Sequence, residues 1–201
     1  MILYVETNLI IGIAKGQDAE AQNLLLNPLA STSIVIPSIC FLEAQMTLME
    51  MEKYNEEFLR ALIKQRSEAK RDTTSANALL LSASLEQSNT DFERRFVDTK
   101  QRFNFAYSYL GSQAEEIPLE FSAIQEGLNK KILEDKHLID KIILECIIRH
   151  AREHPNLTKV FLSANTKEFN KPEVAEVLQD AGIRYFSKTA NFLGWLQAQN
   201  S

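Results

Sequence analysis

Four acidic residues of this 201-residue chain fall at predicted strand ends or on predicted helix faces: Glu6, Glu43, Asp140 and Glu168. A buried carboxylate is costly unless it has a cationic partner, a proton or a metal ion. Phosphodiester hydrolysis needs a deprotonated water and neutralisation of the negative charge that develops on the phosphate. Divalent cations held by three or four carboxylates supply both. If the fold brings these acids together, they predict a metal-dependent phosphodiesterase.

Glu6 directly follows the apolar run at 2–5 and precedes Thr7 and Asn8. A short apolar run that ends in such a polar step is typical of a buried parallel strand with a carboxylate at its carboxyl end. Open α/β sheets bind their ligands at that edge. We therefore expect Glu6 to lie at the ligand-binding edge of a sheet.

Glu43 lies on a helix that the sequence predicts to begin at Ile39, with Ser38 as its N-cap. The apolar face of this helix is predicted to contain Ile39, Leu42, Met46 and Met49. Glu43 falls inside that face, which favours a site carboxylate. An ion pair with an arginine or lysine is the alternative.

The other two acids occupy the last third of the chain. Asp140 lies in the first turns of a helix at the edge of an apolar stripe, although an acid stabilised by the helix dipole is the alternative. Asn165 and Glu168 follow a strand predicted at 159–163. Here an ordinary polar β–α loop is the alternative.

The elements that would position these residues alternate between strand and helix. Strands are predicted at 2–5, 33–36, 159–163 and 183–186. Helices are predicted at 8–15, 18–27, from 39 into the fifties, 172–181 and 189–197, with Gly182 as a C-terminal cap. This order predicts a three-layer α/β/α domain with a central parallel sheet.

The segment between about 50 and 135 carries almost no strand signal. Mostly apolar residues recur there at heptad spacing: Phe92, Phe96, Thr99, Phe103, Ala106 and Leu110. Breaks are predicted at Thr73-Thr74 and at 88–90. We interpret the segment as an all-helical insertion, at about 51–116, into a single domain spanning 1–201. Its apolar stripe could alternatively form a dimer interface.

Composition narrows the classes of function. A net charge of −5 and a pI near 5.3 give no global electrostatic argument for nucleic-acid binding, although an acidic site that holds cations can bind phosphate locally. Cys40 and Cys146 show no paired spacing and are expected to be buried thiols in a reducing compartment. No apolar stretch approaches a membrane span and no export signal precedes the first strand, so a cytoplasmic protein is expected.

The four acidic sites, in this order, resemble those of the PIN-domain family of metal-dependent ribonucleases. The matching pieces are the segment 5–8, Glu43, the segment 138–144 and the segment 162–169. The resemblance covers about residues 1–50 and 117–195. It implies one or two Mg²⁺ or Mn²⁺ ions and cleavage of single-stranded RNA, in a toxin-like or RNA-processing role. A homodimer and a protein inhibitor (antitoxin) are further partners that it suggests.

The resemblance also assigns roles to residues. Catalysis and metal binding fall to Glu6, Glu43, Asp140 and Glu168. The residues that would orient the carboxylates or bridge waters are Thr7, Asn8, Ser163 and Asn165.

The family pattern has Asp where this chain has Glu6, and usually Asp where it has Glu168. Each additional methylene extends the carboxylate by roughly 1.5 Å, and Mg²⁺ tolerates little distortion of its octahedron. The alternative function is therefore a catalytically inactive PIN-like module that binds RNA or protein.

Two further patterns have competing interpretations. The segment 150–154 matches the H-x-x-E-H pattern of zinc peptidases, but Pro155 disfavours helical geometry at His154. Basic residues of the helical insertion could form a phosphate-binding wall beside the acids, or simply solvated helix faces. The residues concerned are Lys64, Arg66, Lys70 and Arg71 on one helix, and Arg94, Arg95, Lys100 and Arg102 on another.

Overall fold

The computed structural model describes residues 1–29, 32–129, 132–133 and 137–199. Its central sheet is parallel throughout, with the strand order β3-β2-β1-β4-β5. In chain order the strands are β1 (Ile2–Val5), β2 (Ser33–Pro37), β3 (Glu115–Ile117), β4 (Lys159–Leu162) and β5 (Ile183–Phe186). The apolar run at 2–5 is fully buried in the centre of this sheet, as a strand covered on both faces should be.

Helices connect the strands within the described residues. They are α1 (Thr7–Lys15), α2 (Ala19–Leu26), α3 (Ile39–Arg71), α4 (Ala76–Gln113), α5 (Phe121–Asn129), α6 (Leu138–Glu153), α7 (Thr166–Phe169), α8 (Pro172–Asp180) and α9 (Thr189–Gln199). None of these helices is long and apolar enough to cross a membrane.

The direction of the connections reverses at β1 and β4. From β1 the chain moves through β2 to β3, and then returns past β1 to β4 and β5. Right-handed crossovers place helices on opposite faces of the sheet when the direction reverses. Accordingly α1 packs against α3 and α4, while α5 packs against α6. The three-layer α/β/α prediction is confirmed.

The register of the central strands fixes where the site can form. Val5 of β1 pairs with Leu162 of β4, so Glu6 and Ser163 leave the sheet side by side. In open α/β sheets the crevice for ligands lies outside the carboxyl ends of the two strands at which the connections reverse. Glu6 and Ser163 occupy this crevice.

The α3–α4 hairpin is the largest feature outside the sheet. Its helices have 33 and 38 residues, about 50 and 57 Å of helix, and the turn at 72–75 joins them. Asp72 closes the turn by accepting hydrogen bonds from the backbone N–H groups of Thr74 and Ser75, both at 3.0 Å. The predicted break at Thr73-Thr74 is confirmed.

The break predicted at 88–90 is wrong, because α4 is continuous. The Thr90 hydroxyl donates to the Glu86 carbonyl (3.2 Å), and the Asn89 amide donates to the Glu93 carboxylate (3.1 Å). Each of these side chains makes a hydrogen bond one turn away within the helix, so neither one interrupts it.

Three local features also differ from what the sequence predicts. Strand β3 was not predicted, because it has only three residues and lies at the sheet edge with two exposed glutamates. Pro37 belongs to β2, since it pairs with Ile117 at the end of the strand. Ser38 occupies the N-cap position of α3, but it has helical backbone angles and its side chain makes no capping hydrogen bond.

Candidate active site

Glu6 is buried, with 2% of its surface exposed, and caps the N-terminus of α1. The Asn8 backbone N–H donates to Oε2 (2.8 Å), and the Ser163 hydroxyl donates to Oε1 (2.6 Å). Burial raises the pKa of Glu6 to about 7; these hydrogen bonds oppose the shift, and repulsion from Glu43 and Asp140 adds to it. Glu6 is therefore a fixed carboxylate whose charge is only partly compensated.

Glu43 lies at the border of the buried face of α3. The apolar face predicted for this helix is wrong: Leu42, Met46 and Met49 are half or more exposed. The residues that α3 buries at this end are Cys40, Ala44 and Leu48. The Thr7 hydroxyl donates a short hydrogen bond to Glu43 Oε2. Burial raises the pKa of Glu43, and Asp140 raises it further.

Asp140 lies in the first turn of α6, as predicted, and a chain of hydrogen bonds connects it to Glu6. The Asn165 amide donates to Asp140 Oδ1 (3.1 Å), and the Asn165 backbone N–H donates to the Ser163 hydroxyl oxygen (3.0 Å). Ser163 in turn donates to Glu6. Burial raises the pKa of Asp140.

Glu168 is buried in the short helix α7 and contacts two basic side chains. Its Oε2 accepts a hydrogen bond from Lys171 Nζ (2.7 Å), and its Oε1 lies 3.1 Å from His137 Nε2. His137 Nδ1 also lies 3.6 Å from Asp140 Oδ2. His137 and Lys171 were missed from the sequence, although each stands three residues from the acid it contacts, a spacing that brings side chains together on a helix.

Tyr185 of β5 is a further residue that the sequence did not reveal. Its hydroxyl donates to the Ser163 carbonyl (2.9 Å), which ties β5 to the loop that carries Ser163 and Asn165. Burial, with the nearby Glu6 charge, raises the pKa of Tyr185 to about 12, so it remains a neutral donor.

All eight residues predicted for the site lie at the carboxyl edge of the sheet. We call four of these residues the acidic edge: Glu6, Glu43, Asp140 and Glu168. The contacts given above connect them, and they are near enough to raise one another's pKa values by electrostatic repulsion. The four basic residues of α3 do not join it. Within the hairpin Arg66 pairs with Glu86, and Arg71 pairs with Glu68 at 3.0 Å.

The chemistry of the donor set fits a hard divalent cation. Three of the four carboxylates have raised pKa values, which a bound cation would lower, and their oxygens are ligands that Mg²⁺ and Mn²⁺ prefer. In the described part of the chain, no three His, Cys, Asp or Glu side chains are grouped closely enough to hold one ion. Binding by three carboxylates therefore requires side-chain rotation.

The zinc-peptidase pattern at 150–154 has a different structural role. His150 Nδ1 lies 2.9 Å from the Tyr4 hydroxyl, and its Nε2 lies 3.1 Å from Glu115 Oε1. His154 follows the last residue of α6 with non-helical backbone angles, as Pro155 predicts. Both ring nitrogens of His150 thus serve contacts among α6, β1 and β3.

Comparison with known proteins identifies the family. A family model described as the PIN domain matches residues 3–169. The chain belongs to the PIN-domain family. The match contains all four acids of the acidic edge and also the α3–α4 hairpin, which the four motifs did not cover. PIN domains are generally nucleases that use divalent metals and bind RNA. No curated protein and no solved structure matches the chain.

Proposed function

We propose that this PIN domain is a Mg²⁺- or Mn²⁺-dependent endoribonuclease that hydrolyses phosphodiester bonds of single-stranded RNA, in a cytoplasmic, toxin-like or RNA-processing role. The observation that carries the proposal is that four buried or half-buried carboxylates lie along the carboxyl edge of the sheet, and that three of them have raised pKa values. Carboxylates kept together against their repulsion and desolvation are typical of sites that hold cations.

The side chains divide into those that would bind the cation and those that hold them in place. Glu6, Glu43, Asp140 and Glu168 would hold it, and when bound it neutralises phosphate charge and acidifies the attacking water. Ser163 and the Asn8 backbone each donate a hydrogen bond to one oxygen of Glu6. These bonds fix the carboxylate, so the fold determines where its remaining lone pairs point. Thr7 orients Glu43, and Asn165 orients Asp140.

His137 and Lys171 would influence the charge around Glu168 and Asp140. They contact Glu168, and His137 also approaches Asp140. Lys171 partly neutralises this pair, and both side chains hold Glu168 in place. We propose that the whole chain, 1–201, forms one domain in which the hairpin beyond about residue 51 is an insertion. A homodimer and a protein inhibitor remain further proposed partners.

Removal of the cation is the test of the proposed activity. The full chain is incubated with a fluorescent single-stranded RNA after exhaustive chelation, and then after addition of Mn²⁺ or Mg²⁺. We expect no cleavage by the chelated protein and recovery with either metal, while a double-stranded RNA of the same sequence stays intact. Cleavage that persists in the chelated protein would rule out the proposed mechanism.

A catalytically inactive PIN-like module that binds RNA or protein is the second candidate, and two observations favour it. Both oxygens of Glu6 are already hydrogen bonded, and Glu168 already contacts two basic groups that could replace a cation. This candidate predicts no turnover with any divalent metal and no gain from Glu6→Asp. A clear increase in rate with Glu6→Asp would exclude it.

A further inference from the structure

Two cavities meet along helix α1. The first, of about 450 Å³, begins beside the acidic edge at Asn8 and Ala164 and extends to Lys15 and Gln17. The second, of about 520 Å³, lies between α1, α3 and α4 and has the same Lys15 and Gln17 in its wall. Asn8 and Lys15 are about 10 Å apart along the helix. The two cavities therefore adjoin each other at Lys15 and Gln17, and together they follow α1 from the acidic edge to the hairpin.

The second cavity, here called the aromatic groove, presents four aromatic side chains: Tyr54 and Phe58 from α3, and Phe92 and Phe96 from α4. Tyr54 is 76% exposed, and Phe58 and Phe92 are more than a third exposed. The rings of Phe58 and Phe92 have centroids 4.5 Å apart and are tilted by 46°, so the two helices contribute one aromatic pair to the groove. Exposed aromatic faces on adjacent helices can accept stacked planar groups.

The charges along the path favour an anionic occupant. Lys15 and Arg95 line the aromatic groove, no acidic side chain lines it, and no ion pair engages either base within the described residues. Lys188 lies on the first cavity. The acids of that cavity are Glu20, which is exposed, and Asp18, whose oxygens accept hydrogen bonds from the Ala21 backbone and the Thr189 hydroxyl. The aromatic groove is therefore basic, although the whole chain has a net charge of −5.

We propose that the two cavities form one binding track for single-stranded RNA, which runs from the acidic edge along α1 and stacks unpaired bases in the aromatic groove. The basic groups at Lys15, Lys188 and Arg95 contact the phosphates, and the aromatic rings contact the bases. Base stacking on aromatic rings needs unpaired bases, so a duplex does not fit this surface. Continuity with the acidic edge and the absence of acids in the groove favour RNA over a protein partner. The link to cleavage rests on the proposed function, but binding does not.

Equilibrium binding tests the track without turnover. Fluorescence anisotropy of the full chain in EDTA is measured with single-stranded oligoribonucleotides from about 4 to about 16 nucleotides, the range that such grooves accommodate. Affinity should rise with length as the RNA reaches the aromatic groove. Tyr54→Ala and Phe58→Ala should each weaken binding of the longest RNA roughly tenfold and leave the shortest unchanged. Arg95→Ala should weaken binding and reduce the salt dependence by about one phosphate contact.

Matched controls separate the track from general surface effects. Phe121 is 71% exposed, a fraction similar to that of Tyr54, but it lies on α5 and lines neither cavity. Arg94 adjoins Arg95 on α4 and is likewise exposed, but does not line the groove. Phe121→Ala and Arg94→Ala should bind RNA like the unaltered chain. Thermal unfolding of each variant confirms that the substitutions leave the fold intact.

The outcomes distinguish this proposal from the proposed function. Length-dependent binding that Tyr54→Ala and Arg95→Ala reduce, in a protein that cleaves nothing with metal, supports the track and refutes the nuclease. Cleavage of RNA with an affinity that is independent of length, or equal in variants and controls, refutes the track and supports the nuclease. Absence of RNA binding, or an effect of the groove variants on a protein partner only, also overturns the track.

Discussion

The acidic edge and the α3–α4 hairpin carry their charges in opposite ways. At the acidic edge, carboxylates are buried or half-buried beside one another, and burial raises the pKa values of Glu6, Glu43 and Asp140. On the hairpin, charged side chains are mostly exposed and many are paired, as in Arg60 with Glu56 and Lys100 with Glu52. Charged side chains of the same types therefore destabilise the folded state at the acidic edge and hardly change its stability on the hairpin.

The free energies of these two arrangements indicate which region has a function. Exposed ion pairs contribute about 0–1 kcal/mol each. Raising the pKa of buried Glu6 from 4.5 to about 7 corresponds to roughly 3 kcal/mol of destabilisation at neutral pH in the absence of a cation. A fold that retains such a cost indicates a use for the carboxylate, whereas the paired, exposed charges of the hairpin need no explanation beyond solubility.

The largest expected difference between the two regions is in RNA cleavage. The double change Glu43→Ala/Asp140→Ala should lower kcat/KM by at least about 10⁴-fold, because two cation ligands are lost. Glu57→Ala/Asp98→Ala removes two exposed acids from the hairpin and should leave the rate unchanged. A kcat/KM of the first double variant close to that of the unaltered chain, under conditions in which the chelated protein is inactive, would show that the acidic edge does not hold the cation.

The acidic edge itself was largely predictable from the sequence, because it depends on strand ends. An apolar run such as 2–5 reports burial on both faces, and the residue after it must lie at the sheet edge. Asp140 could be placed because its helix has a regular apolar stripe. Each of these inferences uses a short-range pattern that the sheet then brings into register.

The basic partners and the surface of α3 could not be predicted in this way. Leu42, Met46 and Met49 have the spacing of a buried face, but α3 buries Cys40 and Ala44 instead. Which of two apolar stripes a long helix buries is decided by its neighbours α1 and α4, which a local pattern does not contain. His137 contacts Glu168 only because the β4–α7 loop and the start of α6 meet at one edge.

The second prediction concerns pH and stability without metal. Because the pKa of Glu6 is about 7 in the folded protein and near 4.5 in the unfolded chain, the folded state retains a proton between these values that the unfolded state has lost. The free energy of unfolding should therefore be highest at or below about pH 4.5, as far as Glu6 is concerned, and fall by up to roughly 3 kcal/mol as the pH rises through 7. Glu43 and Asp140 add to the fall, since their pKa values are also raised.

Urea unfolding in EDTA measures this fall. Glu6→Gln should make the profile flatter and raise stability at alkaline pH, while Glu57→Gln on the exposed face of α3 should reproduce the unaltered profile. Addition of Mn²⁺ should stabilise the unaltered chain more at alkaline than at acidic pH, because the cation binds carboxylates in their charged form. Equal slopes for Glu6→Gln and the unaltered chain would mean that Glu6 is not the titrating group.

The smallest expected effect concerns the basic residues near the far end of α3. Arg66 and Arg71 are paired with glutamates, so their charges are largely compensated before RNA arrives. Lys64 and Lys70 are exposed and take part in no ion pair of the described residues.

If this surface contacts phosphates, Lys64→Ala/Lys70→Ala should weaken binding of single-stranded RNA by a few-fold and lower its salt dependence, with a smaller effect from Arg66→Ala/Arg71→Ala. Anisotropy titrations across a series of salt concentrations separate the two pairs. A loss as large as that of Tyr54→Ala would place the main RNA contact at the hairpin end, and would contradict the assignment of its charges to a solvated surface.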